Sequence, residues 1–306
     1  MTIELRLTDI DPPAPEPKRT IYRDIVNLPD PVKLGMTIRY FNHDDVALYM
    51  QITGSGPGYT FGTVNLGSLA SGANAYTNLD EFVSRAKPGV GDLPGGEMTE
   101  NITLILKAYT DSGYTDLKWT YERTVTVYWI NSVDAAFTED ALNNFDDGTV
   151  QTWAVASEVG GTAPTVAAVT DYVLSAPYSC QMKTGQRDTA TEIRTRLYKS
   201  FTTANKDKVF AILDIRAGRE GTGETYVWMK YHKIQRNTTL LTFLGKDVNE
   251  EVHHFPMNKW MRIVVPLPKN ATVEVQIVLS VYYYPLASGY PGGGLLWLDD
   301  FKIVSK

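Results

Sequence analysis

Three short stretches frame the second half of the chain. Residues 144–153 read NFDDGTVQTW, residues 179–183 read SCQMK, and residues 296–303 read LWLDDFKI. Each places apolar residues at alternate positions or beside turn-forming residues, which is typical of short strands joined by turns. About nine strands are predicted between residues 149 and 304, and that number in a segment of this length indicates two packed β-sheets.

The order of these stretches resembles the β-jelly-roll carbohydrate-binding modules and their galactose-binding-like relatives. Those domains often begin with a Phe-Glu-x-Gly-type turn that leads to a Trp, and they end with an apolar-Asp-Asp-apolar strand. The resemblance covers residues 143–306 and implies a jelly-roll domain at residues 144–306. Function does not follow from fold, so the resemblance implies the architecture more strongly than the ligand.

The same resemblance implies a structural calcium ion, held by acidic residues of the first turn and the last strand. Calcium takes six to eight oxygen ligands, so carboxylates from both ends of the domain would tie those ends together. The alternative is an ordinary turn at the first pair and a solvated strand end at the second. The residues implied as ligands are Asp146, Asp147, Asp299 and Asp300.

Aromatic residues at strand spacing are the candidate sugar-binding residues. Pyranose faces stack on Trp and Tyr, while polar side chains hold the hydroxyl groups. Alternation places Tyr226, Trp228 and Lys230 on one face of a predicted strand, and it places Tyr282 and Tyr284 on one face of another. The alternative is that these aromatic residues fill the sandwich core or a subunit interface.

The first half of the chain also reads as strands separated by turn clusters. The longest strand is predicted at residues 117–130, which read LKWTYERTVTVYWI. Five to seven short strands over about 100 residues predict an immunoglobulin-like sandwich at residues 32–130, without the Cys–Trp–Cys framework of antibody domains. Residues 131–143 are predicted to form a linker with a short helix. The predicted fold class is therefore all-β, an immunoglobulin-like sandwich followed by a jelly roll.

Residues 1–31 are predicted to form an extended arm. They hold six of the sixteen prolines, and the stretch DPPAPEP at residues 11–17 favours polyproline geometry. Residues 3–7, IELRL, alternate with period two and predict a strand that pairs with an exposed sheet edge. We expect this arm to lie outside the core and to suit contacts between subunits.

Composition excludes several classes of protein. The 306 residues include 29 Lys+Arg and 35 Asp+Glu, and a net charge of −6 gives no general attraction to nucleic acid. The single cysteine, Cys180, forms no intrachain disulfide and is predicted to be a buried core residue. Acidic residues at positions 4, 9 and 11 argue against a secretory signal, and the sequence has no apolar run long enough to predict a membrane span.

The motifs of common enzymes are missing from the sequence. There is no Gly-x-Ser-x-Gly and no His-Glu-x-x-His. The adjacent pairs Glu250-Glu251 and His253-His254 would point to opposite faces of an extended strand, which makes each pair a poor acid–base or metal-binding unit. The sequence therefore predicts a non-catalytic protein.

Two functions lead among those that the sequence leaves open, and the others are an extracellular filament or surface-layer subunit and an unrecognised glycosidase or lyase. The first is an assembly protein of a virion surface, such as a decoration, tail or fibre protein, with copies of itself or other virion proteins as partners. The alternative is a pair of carbohydrate-binding modules from a secreted or cell-surface protein, with polysaccharide as the partner. The missing secretion signal, the missing catalytic motifs, an arm suited to strand exchange and the glycan-binder-like jelly roll favour the first function. Neither function requires nucleic acid or a membrane span.

Overall fold

A computed structural model describes residues 3–7, 19–26, 28, 30–32, 34, 37–79, 82–159, 163–175, 177–184, 192–219, 224–233, 238–243, 260–282 and 293–306. The chain divides into two compact units, unit 1 up to Asp134 and unit 2 from Ala135 onward. Both are built from strands, which confirms the predicted all-β class. Within the described residues, no helix is long and apolar enough to cross a membrane.

Unit 1 contains two main sheets and a short two-stranded ribbon. A three-stranded sheet has the order β1-β3-β7, a five-stranded sheet has the order β2-β10-β9-β4-β6, and β5 pairs with β8. Two single 3-10 turns, Val90–Asp92 and Pro94–Gly96, precede β9. The strands are β1 Ile3–Leu7, β2 Arg19–Asp24, β3 Thr37–Asn42, β4 Leu48–Ser55, β5 Tyr59–Phe61, β6 Val64–Leu69, β7 Asn74–Asn78, β8 Val83–Arg85, β9 Glu97–Tyr109 and β10 Leu117–Ile130.

Residues from both main sheets of unit 1 share one hydrophobic core. Ile38 of β3, Met50 of β4 and Leu104 of β9 are all fully buried in it. A core enclosed by the inner faces of two sheets is the arrangement of a β-sandwich. The immunoglobulin-like interpretation of residues 32–130 stays a prediction.

The described parts of the predicted arm belong to this core, which corrects the expectation that residues 1–31 lie outside it. Residues 3–7 do form a strand, and β1 pairs antiparallel with β3. β2 pairs in parallel with β10. Leu5 and Ile21 are fully buried, because the apolar positions of each strand face the inside of the sandwich. The proline-rich residues 8–18 lie outside the described residues.

Unit 2 consists of two antiparallel sheets, each named here after its central strand. The β20 sheet has the order β12-β15-β20-β17-β18, and the β21 sheet has the order β13-β14-β21-β16-β19 with β11 also paired to β21. The strands are β11 Thr138–Asn143, β12 Ala154–Val159, β13 Thr165–Val169, β14 Ser179–Lys183, β15 Glu192–Thr202, β16 Val209–Arg219, β17 Glu224–Lys233, β18 Thr238–Phe243, β19 Trp260–Pro266, β20 Thr272–Tyr282 and β21 Gly294–Ser305.

The core of unit 2 lies between these two sheets. Phe301 packs on Trp153 and Phe201, with ring centroids 5.1 Å and 4.8 Å away. Cys180 is buried in the same core, as predicted, and burial raises the pKa of its thiol to about 12. The chain passes repeatedly from one sheet to the other, as expected for a sandwich of the jelly-roll type.

The predicted linker contains a strand and not the expected helix. β11 pairs antiparallel with the end of β21, and Asn143 faces Phe301 in that ladder. The five-residue β14 pairs only with residues 295–298 of β21, so residues 301–305 still have backbone groups to satisfy on that side. β11 satisfies them, which is a stronger constraint than the weak helical pattern of residues 131–143.

Candidate functional site

The outer face of the β20 sheet is the candidate site, and alternation along its strands defines it. Val275, Ile277 and Leu279 of β20 are buried in the core between the sheets. On the neighbouring β15, Ile193 and Leu197 are buried in the same core. Successive residues of a strand belong to opposite faces, so the residues between these belong to the face that points away from the core.

The register of three adjacent strands places nine residues of the outer face in three rows. Residues directly opposite each other in an antiparallel ladder belong to the same face. β15 and β17 both pair with β20, so each row crosses all three strands. We call these nine positions the central grid, and its rows are Arg194–Ser280–Tyr226, Arg196–Val278–Trp228 and Tyr198–Gln276–Lys230.

The central grid combines aromatic, cationic and uncharged polar positions. Three positions are aromatic, three are cationic, one is an amide, one is a hydroxyl and one is the aliphatic Val278. The guanidinium carbon of Arg196 lies 5.0 Å from the centroid of the Tyr198 ring, within cation–π distance. Gln276 and Val278, on the central strand of the grid, are buried.

Acidic residues occupy both ends of the outer face. At one end the register sets Glu192 and Glu224 on either side of Tyr282. At the other end Glu274 lies on the same face, two residues before Gln276, and the Gln276 amide donates a hydrogen bond of 2.5 Å to the Glu274 carboxylate. The cationic positions are therefore gathered in the middle of the face.

The structure brings together four of the five predicted sugar-binding positions. Tyr226, Trp228 and Lys230 belong to the central grid, and Tyr282 belongs to the next row. Tyr284 lies outside the described residues. The register thus sets the four described positions on the face opposite the core.

Sequence reasoning missed the residues that β15 adds to this face. Arg194, Arg196 and Tyr198 alternate with the buried Ile193 and Leu197, a pattern that is readable in the sequence. Their link to Trp228 was not readable, because β15 and β17 meet only through β20, which follows β17 by about 40 residues. Gln276 was missed for the same reason.

The first pair of predicted calcium ligands lies in an exposed turn. Asp147 accepts hydrogen bonds from the main-chain N–H and the hydroxyl of Thr149, at 2.9 Å and 2.8 Å. These bonds lower the pKa of the Asp147 carboxyl. Asp146 accepts a bond of 2.6 Å from the side-chain amide of Asn144. Both carboxylates therefore stabilise the turn that precedes Trp153.

The second pair anchors a different loop. Asp299 is fully buried and accepts hydrogen bonds from the main-chain N–H groups of Leu174 and Ser175, at 2.8 Å and 3.0 Å. The Ser175 hydroxyl donates to both Asp299 and Asp300, at 2.9 Å and 3.0 Å. Burial raises the pKa of the Asp299 carboxyl, although these bonds oppose the rise.

An ammonium group lies beside the turn that was predicted to hold calcium. Lys199 donates to the side-chain oxygen of Asn143 at 2.9 Å and to the main-chain carbonyl of Gln151 at 2.6 Å. Among the described residues, no group of three His, Cys, Asp or Glu side chains is placed to hold a metal ion. Calcium binding through backbone carbonyls together with these aspartates stays a prediction.

Comparisons with known proteins give no family. No protein-family model matches the sequence, and no curated protein matches it. Solved structures do match in shape, and one from a study of carbohydrate-binding modules of the β-sandwich superfamily covers 99% of this chain and 98% of its own, at 12% identity and a TM-score of 0.39.

Two further structures match about half of the chain. One is the CBM22-1 xylan-binding domain of Xyn10C from Paenibacillus barcinonensis, with 15% identity, 54% of this chain, 93% of its own and a TM-score of 0.35. The other is the K1 adhesin domain of Lys-gingipain from Porphyromonas gingivalis, with 11% identity, 55% of this chain, 99% of its own and a TM-score of 0.34. At these TM-scores the similarities assign neither a family nor a function.

Proposed function

We propose that the protein binds polysaccharide without catalysing a reaction, and that the central grid is its binding surface. The observation that carries the proposal is the register, which sets Tyr226 and Trp228 beside Arg196, Tyr198 and Gln276 on one outer face. Sugar rings present apolar C–H faces and polar hydroxyl edges. A surface that alternates aromatic residues with hydrogen-bonding residues matches both.

The scaffold beneath the grid is suited to binding. The opposite faces of β15 and β20 lie in the core of unit 2, and β17 is joined to β20 by its ladder, so the backbone positions of the grid are held by packing and by sheet hydrogen bonds. A site on a sheet loses less conformational entropy on binding than a site on a flexible loop. The surface is therefore organised before the glycan arrives.

The proposal assigns binding, and no catalytic step, to the grid. Glycoside hydrolysis commonly uses two carboxyl groups that flank the scissile bond, and the acidic residues of this face, Glu192, Glu224 and Glu274, belong to rows outside the grid. The predicted virion-surface role, with its virion localisation and protein partners, stays a prediction, as does the extracellular or cell-surface alternative.

The test is retention of the full-length protein on immobilised or dissolved polysaccharides, measured by affinity electrophoresis and titration calorimetry. Trp228→Ala is expected to weaken binding at least tenfold, since an aromatic anchor is commonly worth about 2 kcal/mol of binding free energy. Trp119→Ala is the matched control, because Trp119 is 40% exposed but belongs to β10 of unit 1. Equal affinity of the Trp228 variant and the native protein would overturn the proposal.

A further inference from the structure

We infer that unit 1 carries a second glycan-binding surface, the outer face of its five-stranded sheet, and that the ligand of this surface is a neutral polysaccharide. This inference goes beyond the proposed function, because it concerns the other unit and uses no residue of the central grid. It starts from the side of the five-stranded sheet that points away from the core of unit 1.

Alternation along β9 defines this face. Ile102, Leu104 and Leu106 are buried in the core, so the residues between them belong to the opposite side of the sheet. The ladders that join β2, β10, β9, β4 and β6 set the partners of these residues on the same side. We call these positions the hydroxyl face, and its rows are Thr20–Thr126–Asn101, Thr124–Thr103–Ser55, Glu122–Ile105–Thr53 and Thr120–Lys107–Gln51–Asn65.

The hydroxyl face is accessible to solvent and has no net charge. None of its thirteen side chains is buried, and ten of them are Thr, Ser, Asn or Gln. Its two charged residues, Glu122 and Lys107, have opposite signs. Unit 1 as a whole differs, because residues 1–134 contain 11 basic and 17 acidic residues. The net negative charge of unit 1 therefore lies away from this face.

Strand propensity alone does not explain this composition. Thr is favoured in strands, but Asn is depleted there. Asn101 of β9 and Asn65 of β6 nevertheless occupy strand positions on this face, each with an exposed side chain. Residues that weaken a strand and contribute nothing to the core point to a use for their amide groups.

Hydrogen bonds within the face orient these amides. The Thr126 hydroxyl donates to Asn101 Oδ1 at 2.9 Å, and the Gln51 amide donates to Asn65 Oδ1 at 2.8 Å. Each Asn accepts through its oxygen, and its NH₂ group has no partner among the described residues. These donors are therefore held in place by the protein and remain available to a ligand.

Two Thr residues add hydroxyl groups in the second row of the face. Thr103 and Thr124 are opposite each other in the β9–β10 ladder, and neither hydroxyl bonds to any residue that the structure describes. Hydroxyl and amide groups can both donate and accept hydrogen bonds, as sugar hydroxyls do. An uncharged surface of such groups matches a neutral sugar, and binding there buries few charges.

Tyrosine rings lie beside the first row of the face. Tyr22 and Tyr128 are opposite each other in the β2–β10 ladder, two residues beyond Thr20 and Thr126, and their ring centroids are 5.5 Å apart. Both are half-buried, so part of each ring can contact the C–H face of a sugar. From Thr120 to Tyr128 the surface extends over about 26 Å at the usual rise of a strand, which suits a chain of several sugar units.

The composition of the hydroxyl face argues against other partners. A nucleic-acid backbone is bound by clustered Lys and Arg, and this face has a single Lys. The cores of protein–protein interfaces are enriched in aromatic residues, Met and Arg, and none of these occupies any of the thirteen positions. A neutral polysaccharide is the partner that this chemistry matches best.

The experiment measures binding of the full-length protein by affinity electrophoresis in gels that contain dextran, hydroxyethylcellulose, arabinoxylan or galactomannan. The test variant combines Thr103→Val with Thr124→Val, which removes two hydroxyls and keeps the side-chain shape and the strand propensity. It is expected to bind at least one of these neutral polysaccharides about tenfold more weakly, since each neutral hydrogen bond contributes about a threefold factor.

Matched variants assign the effect to the hydroxyl face. Thr60→Val is the control, because Thr60 is exposed on β5 of the ribbon and does not belong to this face. It is expected to bind as the native protein does. Asn65→Ala, on the edge strand β6, is a second test variant and is expected to weaken binding about threefold. Thermal unfolding checks that each variant keeps the native fold.

The outcomes separate this inference from the proposed function. If both test variants bind as the native protein does while Trp228→Ala binds more weakly, the inference is overturned and the proposed function stands. If the test variants bind more weakly while Trp228→Ala does not, the inference is supported and the role of the central grid is overturned. An equal loss in Thr60→Val would overturn the inference. Failure of the native protein to bind any of the four polysaccharides would do the same, and would leave binding of a charged polysaccharide at the central grid to its own test.

Discussion

Arg85 and Glu100 form a bidentate ion pair inside unit 1. The Arg85 Nε donates to Glu100 Oε2 at 2.7 Å, and a second guanidinium nitrogen donates to Oε1. The indole N–H of Trp129 donates to the same Glu100 carboxylate at 2.8 Å. Burial alone would raise the pKa of Glu100, but the bonds from Arg85 and Trp129 outweigh it and lower the pKa. The pair joins β8 of the ribbon to β9 of the five-stranded sheet.

Glu100→Gln is expected to lower the free energy of unfolding by about 3 kcal/mol, because it leaves the Arg85 guanidinium without its counter-charge in a mostly buried position. Urea unfolding of the full-length chain measures this. Lys269→Gln is the control, since the ion pair of Lys269 with Asp207 is exposed, and its removal should change the free energy of unfolding by no more than the experimental error. A Glu100 variant as stable as the control would contradict the structural role of the pair.

Lys199→Met is expected to destabilise unit 2 by about 2 kcal/mol, because Met retains the aliphatic volume and removes a charged donor to two oxygens. The contact joins β15 of the β20 sheet to Asn143 at the end of β11, and the Trp153 indole N–H shares the Asn143 oxygen at 3.1 Å. Thermal unfolding of the two chains measures the effect, and a Met variant as stable as the native chain would contradict the role of Lys199.

The same measurement on the native chain with and without calcium tests the predicted ion. A stability that rises with added calcium would support it.

Asp299→Asn and Asp147→Asn are expected to change the pH dependence of stability in opposite directions. Burial raises the pKa of Asp299, so the folded state holds this proton to a higher pH than the unfolded state does. The native free energy of unfolding therefore falls as pH rises through the window above about 4, and Asp299→Asn removes that fall.

Asp147 has a lowered pKa because the Thr149 N–H bonds to its carboxylate. Its contribution to stability is present above the ordinary carboxyl pKa and disappears as pH falls through the folded-state value. As pH rises from about 2 to 6, the stability of Asp299→Asn relative to the native chain should thus increase above about pH 4, whereas that of Asp147→Asn should decrease below about pH 4. Urea unfolding across this range decides the matter, and trends of the same sign would refute the assignment.

Leu5→Ala is expected to cost about 3 kcal/mol of stability, because Leu5 is fully buried in the core of unit 1. If residues 3–7 belonged to an arm outside the core, this change would not lower the stability of the protein. Leu117→Ala serves as the comparison, since Leu117 is 49% exposed on β10 of the same unit. Equal stability of the two variants would restore the extended-arm interpretation of residues 3–7.

Much of the fold was predictable because strand periodicity is a local property. Alternation in residues 3–7 and 117–130 indicated strands, and both are strands in the structure. The prediction of a helix in residues 131–143 was wrong because residues 138–143 pair with the end of β21. No local pattern in residues 131–143 reveals this pairing, since β21 lies at the other end of the domain sequence.

The sequence by itself determined the all-β class, the burial of Cys180 and the shared face of Tyr226, Trp228 and Lys230, since each follows from composition or from a period of two. Only the tertiary structure decided that β1 and β2 complete the core of unit 1 and that Arg194, Arg196 and Tyr198 share an outer face with Trp228. The physical reason is that ladder partners far apart in sequence are selected by burial and hydrogen bonding over the whole sheet, and neither is encoded within a single strand.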